Sequence, residues 1–319
     1  MKEQGGKLKV LIGPSSFAAK DKTPMERLIS AGFEVIDNPF KRKLTKNELL
    51  GLLSNDVVGI VAGLEPLDRE VMQRSRLKVI SRAGSGLSNV DLDSAKEFGI
   101  KVCSTPNGPT EAVAELTLGA MLALIRMVPE MDRGLRDGKW PKKIGHQLEG
   151  KTVAIIGFGR IGRRVAELLS PFYVKNIIVD PLVTDTIIGV PPFFHDDVRL
   201  EKNSLEEALG RADIITIHSS GDKQIIGERE FSLMKDGVFL LNAARGSLIS
   251  EPALIKALET GKVGGAWLDV FTDEPYKGAL CKFSNVILTP HVGSYTEEGR
   301  SKMEMEAVEN LINALKGNS

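Results

Sequence analysis

The stretch Lys151–Asp180, KTVAIIGFGRIGRRVAELLSPFYVKNIIVD, decides the fold. Thr152 to Ile156 is an apolar run of strand length that stops at Gly157. Gly157-Phe158-Gly159-Arg160-Ile161-Gly162 then satisfies G-x-G-x-x-G. Ile161, Val165, Leu168 and Leu169 recur at helical spacing and halt before Pro171, whose ring disfavours helical backbone just ahead of it. A second apolar run, Asn176 to Val179, ends at Asp180. In such a strand–turn–helix, the glycines give a tight turn, close approach of backbone to a pyrophosphate, and close helix–strand packing. The helix N-terminus offers unpaired N–H groups and partial positive charge to the phosphates. Asp180 lies 180 − 162 = 18 residues past the last glycine. There a carboxylate bonds the adenosine ribose hydroxyls and repels a 2′-phosphate, so the unit predicts a dinucleotide site that takes NAD rather than NADP.

Working outward, 319 residues exceed what one hydrophobic core usually spans, so two domains are expected. Lys+Arg and Asp+Glu both total 42, and no dense basic block interrupts the balance, which argues against nucleic acid or an anionic membrane as partner. Cys103 and Cys281 stand far apart and in no metal-ligand spacing. They fit a reducing cytosol better than a disulfide scaffold, and no metal is expected. The opening MKEQGGKLKV lacks the apolar segment of a signal peptide, so a cytoplasmic protein is expected. Ala112 to Ile125, interrupted by Glu115 and Thr117, is too short to cross a bilayer and reads as a buried helix.

The first hundred residues alternate strand and helix. Strands are predicted at Leu8–Ile12, Phe33–Ile36, Val57–Ala62, Leu77–Ser81 and Ile100–Cys103. Between them, Thr23-Pro24-Met25-Glu26 and Thr45-Lys46-Asn47-Glu48 read as capping boxes opening helices, Pro66–Arg74 as a helix, and Asp91 as the cap of another. Ser104–Pro109 breaks the rhythm like a domain crossing, and Pro109 suits the start of a long buried helix to about Met127. Charged and glycine-bearing residues fill 132–150. After Asp180, Pro181–Asn203 is proline-rich and irregular, Ser204-Leu205-Glu206-Glu207 is a capping box, and strands follow at Asp213–Ile217, Val238–Asn242, Gly264–Leu268 and Val286–Leu288. A last amphipathic helix spans Thr296 to Leu315. Strands separated by helical patterns imply βαβ units and parallel sheets covered on both faces.

In an open parallel sheet, ligands bind beyond the carboxyl ends of the strands. Those ends deliver Asn242-Ala243-Ala244-Arg245-Gly246, then Asp269 with Glu274 five residues on, then Thr289-Pro290-His291. An arginine, two carboxylates and a histidine therefore share the rim where a nicotinamide would lie. Hydride exchange with an alcohol needs a group that takes or supplies the hydroxyl proton, which histidine does near neutral pH. A neighbouring carboxylate orients the imidazole, and arginine grips a carboxylate bidentately. Taken singly, each residue reads more simply as a capped strand end, a surface cation or a turn before Pro275. Their convergence is the signal. His218, also at a strand end, is the rival base, but it lacks a comparable carboxylate in sequence. His146 and His195 lie in polar or irregular stretches and are given no role. Ser81-Arg82-Ala83-Gly84-Ser85-Gly86 follows another strand, and closely spaced glycines let backbone N–H groups face an anion.

These residues resemble the NAD-dependent D-isomer-specific 2-hydroxyacid dehydrogenases over about Leu8 to Leu315. The markers are RAGSGLSNVDL, STPNGPTEAVAELTLG, DGKW, GFGRIG, LLNAARG, AWLDVFTDEP and TPHVGS. The 3-phosphoglycerate dehydrogenase branch is the most similar in Arg82-Ala83-Gly84, Thr105–Gly108 and DGKW. The resemblance implies an α/β fold of two domains with parallel sheets. A Rossmann NAD-binding domain, 105–291, is inserted in a flavodoxin-like substrate domain formed by 1–104 and 292–319. It implies His291 as the acid/base paired with Glu274, and Arg245 holding the substrate carboxylate and carbonyl. Asp269 meets the nicotinamide carboxamide, and Arg160-Ile161 the pyrophosphate. Gly157, Gly159, Gly162, Asp180, His218 and Ala243 complete the cofactor set. Arg82, Ser85, Gly86 and Asn107 face the substrate. A homodimer through the long helix is also implied.

Departures bear on the substrate. Ala62-Gly63 stands where the branch has an Arg-Ser pair for a substrate phosphate, and Ser88 where the family has Asp. The Ser219–Gly227 loop is about three residues short and lacks the family's Pro and Thr. No counterpart is expected for the C-terminal regulatory domains of some phosphoglycerate dehydrogenases. The expected activity is hydride transfer between NAD(H) and a D-2-hydroxyacid/2-oxoacid pair. The substrate stays open between 3-phosphoglycerate and another 2-hydroxyacid or sugar acid without phosphate. The other reading is a non-catalytic NAD-sensing binding protein, against which the complete Arg245, Glu274, His291 set speaks.

Overall fold

The computed structural model describes residues 7–183, 187–188 and 200–317. Most of the proline-rich stretch after Asp180, with His195, lies outside them. The chain divides into two compact units, Met1–Pro109 with Ser294–Ser319 and Thr110–Gly293. The sequence reading put the crossings at 104 and 291.

The first unit runs β1 (Lys9–Ile12), α1 (Thr23–Ser30), β2 (Glu34–Ile36), α2 (Lys46–Leu52), β3 (Val57–Ala62), α3 (Arg69–Gln73), β4 (Val79–Arg82), α4 (Leu92–Glu97) and β5 (Lys101–Ser104). The strands form one parallel sheet in the order β2-β1-β3-β4-β5. β3 is buried along its whole length, which is why its sequence is continuously apolar rather than alternating. One face carries Leu11, Ile60, Leu67, Val71 and Ile80, and the other Val10, Ile12, Val61 and Val79. The C-terminal helix, Glu297–Lys316, covers the second face with Met303, Ala307, Val308, Leu311 and Ile312.

Local chemistry corrects two expected helix starts. Thr45 forms the predicted capping box with Glu48, but Thr23 does not cap. It lies inside α1, and its own N–H goes to the Asp21 carboxylate at 2.9 Å. The helix expected from Pro66 begins only after Asp68, whose side chain accepts the Val71 N–H at 3.1 Å. Aspartate is a strong N-cap and overrides the earlier proline.

The second unit begins with α5 (Thr110–Ile125) and α6 (Val128–Arg136), which meet at 64°. α5 buries Ala114, Thr117, Met121 and Leu124, so the apolar stretch is a core helix. Among the described residues, no single helix is long and apolar enough to cross a membrane. There follow β6 (Thr152–Ile156), α7 (Arg160–Leu169), β7 (Lys175–Val179), β8 (Ile187–Ile188), β9 (Leu200–Lys202), α8 (Leu205–Arg211), β10 (Ile214–Ile217), α9 (Glu228–Leu233), β11 (Val238–Asn242), α10 (Glu251–Glu259), β12 (Val263–Leu268) and β13 (Val286–Leu288). The C-terminal helix of the first unit is α11. The strand order is β13-β12-β11-β10-β6-β7-β9-β8, parallel except for the antiparallel β8–β9 pair at the edge. β8, β9 and α6 are elements the sequence reading left irregular.

The register of this sheet positions the site. Val179, Ile156, Ile217, Asn242, Leu268 and Leu288 are paired side by side as one row across six strands. The next residue on each strand therefore stands on the carboxyl rim: Asp180, Gly157, His218, Ala243, Asp269 and Thr289. The chain leaves β6 toward β7 and returns on its other side at β10. The rim between β6 and β10 is thus the switch point at which open parallel sheets bind ligands.

Candidate active site

Beyond β6, Gly157 has φ +93°, and a Cβ there would meet the Ser219 amide nitrogen at 2.5 Å. Gly162 packs against the same turn, where a Cβ would meet the Gly157 carbonyl at 2.1 Å. Gly159 is different: nothing lies within 4 Å of where its Cβ would be. It opens α7, which has no side-chain cap, so its first N–H groups face outward with exposed Arg160 and half-buried Ile161. The Asp180 carboxylate accepts from Phe158 N–H at 2.7 Å and Leu182 N–H at 2.8 Å. It thereby ties the tip of the glycine turn to the end of β7. An uncapped helix, an open glycine and an acid beside the turn fit a dinucleotide: phosphates at the helix end, ribose at the acid.

After β11, the Asn242 side chain accepts from Ala244 N–H at 3.0 Å and donates to the Arg245 carbonyl at 2.8 Å. This folds Ala243–Gly246 into a fixed turn and leaves Arg245 half-buried, with Nη1 donating to Ala244 O at 2.6 Å. Asn242 has a supporting role the sequence reading missed, although an asparagine closing a buried strand ahead of a turn is a usable signal.

After β12 and β13, His291 Nδ1 meets both carboxylate oxygens of Glu274, at 2.9 and 3.1 Å. Oε1 of Glu274 also accepts the Phe271 N–H at 3.1 Å, which fixes the carboxylate. The His291 side chain is 44% exposed, so its far nitrogen is open to a ligand. Asp269 is buried. Its carboxylate accepts from the Thr289 hydroxyl at 2.6 Å and from the Val292 and Gly293 amides at 2.9 and 2.8 Å. The acid expected to meet a nicotinamide carboxamide therefore also holds the segment that carries His291.

His218 behaves otherwise. Its ring turns inward, with Nε2 2.8 Å from Thr216 Oγ1 and Nδ1 enclosed. Burial pulls its pKa down to about 4, so at neutral pH the ring is uncharged. With Nε2 at Thr216 and Nδ1 enclosed, neither nitrogen is free to act as the rival base, and its backbone, beside Gly157, is the part facing the rim.

In the first unit, Arg82, Ser85 and Gly86 follow β4. The Arg82 guanidinium donates to the Ala83 carbonyl and folds over Gly84, where a Cβ would strike it. Gly84 N–H donates to Thr105 Oγ1 at 2.7 Å, shaping the loop from which exposed Ser85 projects. Asn107 is exposed and donates to Glu306 at 3.2 Å. Ala62 is fully buried at the end of β3. Beyond it, buried Glu65 accepts the Gly63 N–H at 2.8 Å and presses on Gly13, where a Cβ would meet its oxygen at 1.9 Å. Desolvation raises the pKa of Glu65, opposed chiefly by backbone N–H bonds and the charges of Arg82 and Lys43. The sequence reading gave Glu65 no part. Among the described residues, no group of His, Cys, Asp and Glu is placed to hold a metal.

Residues 118–293 match the D-isomer specific 2-hydroxyacid dehydrogenase, NAD binding domain, family. The chain belongs to the D-isomer-specific 2-hydroxyacid dehydrogenases. It is 36% identical to human D-3-phosphoglycerate dehydrogenase over 98% of its own length, but spans only 57% of that protein. Hydroxypyruvate reductase of Thermotoga maritima is 36% identical over 85% of the chain and 89% of the relative. The crystal structure of the TT0316 protein from Thermus thermophilus superposes with a TM-score of 0.85, at 34% identity and 98% coverage of both chains. Arg245, Glu274 and His291 are the arginine, carboxylate and histidine expected at the strand ends. All three stand on loops leaving the carboxyl ends of β11, β12 and β13.

Proposed function

We propose that this chain is an NAD-dependent oxidoreductase interconverting a D-2-hydroxyacid and its 2-oxoacid. The observation that carries the reading is the His291–Glu274 pair on the rim shared with Arg245. Bound NAD supplies the hydride acceptor, and NADH the donor. Glu274 takes the Nδ1–H of His291, which fixes the ring so that Nε2 faces the substrate. In the reducing direction Nε2–H gives its proton to the carbonyl oxygen, and in the oxidising direction Nε2 takes the hydroxyl proton. Arg245 carries several N–H donors, one of them occupied by Ala244 O, and the rest suit a carboxylate and its neighbouring carbonyl. The α7 N-terminus with Arg160 and Ile161 would hold the pyrophosphate, and Asp180 the ribose. Asp269, Ala243 and the His218 backbone would line the nicotinamide end. Arg82, Ser85, Gly86 and Asn107 would serve the substrate from the first unit.

For the substrate we favour an unphosphorylated acid. The position where the resemblance expects a phosphate anchor holds buried Ala62, followed by the carboxyl group of Glu65. An NADH-oxidation assay over glyoxylate, hydroxypyruvate and 3-phosphohydroxypyruvate tests both levels. Turnover with the first two and little with the third is expected. No turnover with any oxoacid would favour a non-catalytic NAD-sensing protein.

The same proposal extends to a homodimer built on α5 and its flanks. α6 buries none of its own residues. Val128, Leu135, Trp140 and Ile144 are 49, 51, 76 and 94% exposed. A groove of about 240 Å³ lined by Leu124, Met127, Pro129, Phe239 and Ile287 lies beside them. Sedimentation should give a dimer that Ile144→Asp converts to monomer. Free thiols at Cys103 and Cys281 suit a reducing cytoplasm. The balanced charge suits a small-molecule partner rather than nucleic acid or lipid.

A further inference from the structure

His291 sits at φ +54°, a left-handed backbone that a residue with a Cβ rarely adopts. Something must hold it there. The Asp269 carboxylate spans the next two amides, Val292 and Gly293, with one oxygen on each. Hydrogen bonds to a carboxylate are among the stronger ones in a protein, so the pair opposes the strain. The carboxylate is itself steered. Thr289 Oγ1 lies 2.6 Å from Asp269 Oδ1 and 3.1 Å from Trp267 Nε1. An indole N–H only donates, so the hydroxyl accepts from Trp267, and its own proton is left for Asp269. Trp267 is fully buried, which makes the direction of this relay a property of the core.

We propose that Thr289 is a positioning residue for proton transfer, aiming the Asp269 carboxylate at the Val292 and Gly293 amides and so holding His291 toward its substrate. This rests on His291 being the acid/base. Thr289 touches Asp269 but not His291's ring, and the proposed pyrophosphate and ribose contacts at the α7 end lie away from it, so its loss should act on turnover more than on NADH affinity.

The test compares Thr289→Val, Thr289→Ser and Trp267→Phe with wild type and His291→Ala, measuring oxoacid reduction and NADH binding by fluorescence. Thr289→Val should lower kcat about tenfold while the NADH dissociation constant stays within about twofold, and Thr289→Ser should restore kcat to within about threefold. Trp267→Phe, which keeps a large apolar ring but removes the donor, should lower kcat by about two- to fivefold with the same unchanged binding. Wild-type kcat in Thr289→Val, a proportional loss of NADH affinity, or no recovery with serine would each overturn the proposal. If Thr289→Val does not fold, an unchanged kcat in Trp267→Phe overturns it instead. Retained turnover in His291→Ala would sink the acid/base assignment, a distinct result that these variants read separately.

Discussion

His291 Nδ1 is shared by both oxygens of the Glu274 carboxylate, while the Phe271 amide holds that carboxylate from behind. An acid anchored in this way acts on the ring by charge and by orientation, and substitution separates the two. Glu274→Gln keeps an acceptor for Nδ1–H but removes the charge. It should lower kcat by about ten- to a hundredfold and leave NADH affinity within about twofold, whereas His291→Ala should lose about a thousandfold or more. Rapid-mixing kinetics of NADH oxidation measure both. Wild-type turnover in Glu274→Gln would reduce the pair to a structural contact.

Asp180 has two bonds to backbone and stands where an adenosine ribose would lie. The wild-type protein should favour NADH over NADPH by about a hundredfold in kcat/KM, and Asp180→Asn should narrow that ratio by about tenfold or more. If the variant instead loses both cofactors equally, the residue serves the glycine turn and not the choice of cofactor.

His218 makes stability depend on pH. Its folded pKa, about 4, lies below the ordinary histidine value of 6.5, so its contribution is complete above 6.5 and is lost as pH falls toward 4. At most about 3 kcal/mol is involved. Urea unfolding should show His218→Gln losing less stability than wild type across that window. Parallel curves would mean the ring is solvated enough to charge in place.

Glu65 has the opposite sign. Its folded pKa is raised above 4.5, so the stability linked to its neutral form is present below 4.5 and falls as pH rises through the folded value. Glu65→Gln should therefore melt higher than wild type at pH 8 and converge with it in acid. A variant that melts lower at pH 8 would show that Arg82 and Lys43 keep the carboxylate charged at a net gain.

The parts legible in the sequence were those whose chemistry is local. Gly157–Gly162, the Thr45 and Ser204 capping boxes and the buried strands announce themselves within a few residues. α6 did not: Val128, Met131 and Leu135 recur at helical spacing, but the run is short, charged and follows directly on α5, and none of its residues is buried within this chain. Thr23 reads as a cap in isolation, but it lies inside α1 with its N–H on the Asp21 carboxylate. The bonds of Asp269 reach residues 20 to 24 positions away. The rim residues could be named from strand ends, but the support beneath His291 depended on register, which periodicity does not encode.

The helix α11 has a consequence for how the molecule is made. It supplies Met303, Ala307, Val308, Leu311 and Ile312 to a core face whose strand residues, Val10, Ile12, Val61 and Val79 among them, are written more than two hundred codons earlier. During translation that face stays bare while residues 110–293 are synthesised and can close their own core. The nascent chain thus carries an unpaired greasy surface until residues 297–316 leave the ribosome. Chaperone dependence should accordingly concentrate on the earliest part of the chain, and a ribosome stalled before α11 should hold a finished insert beside an unfinished frame.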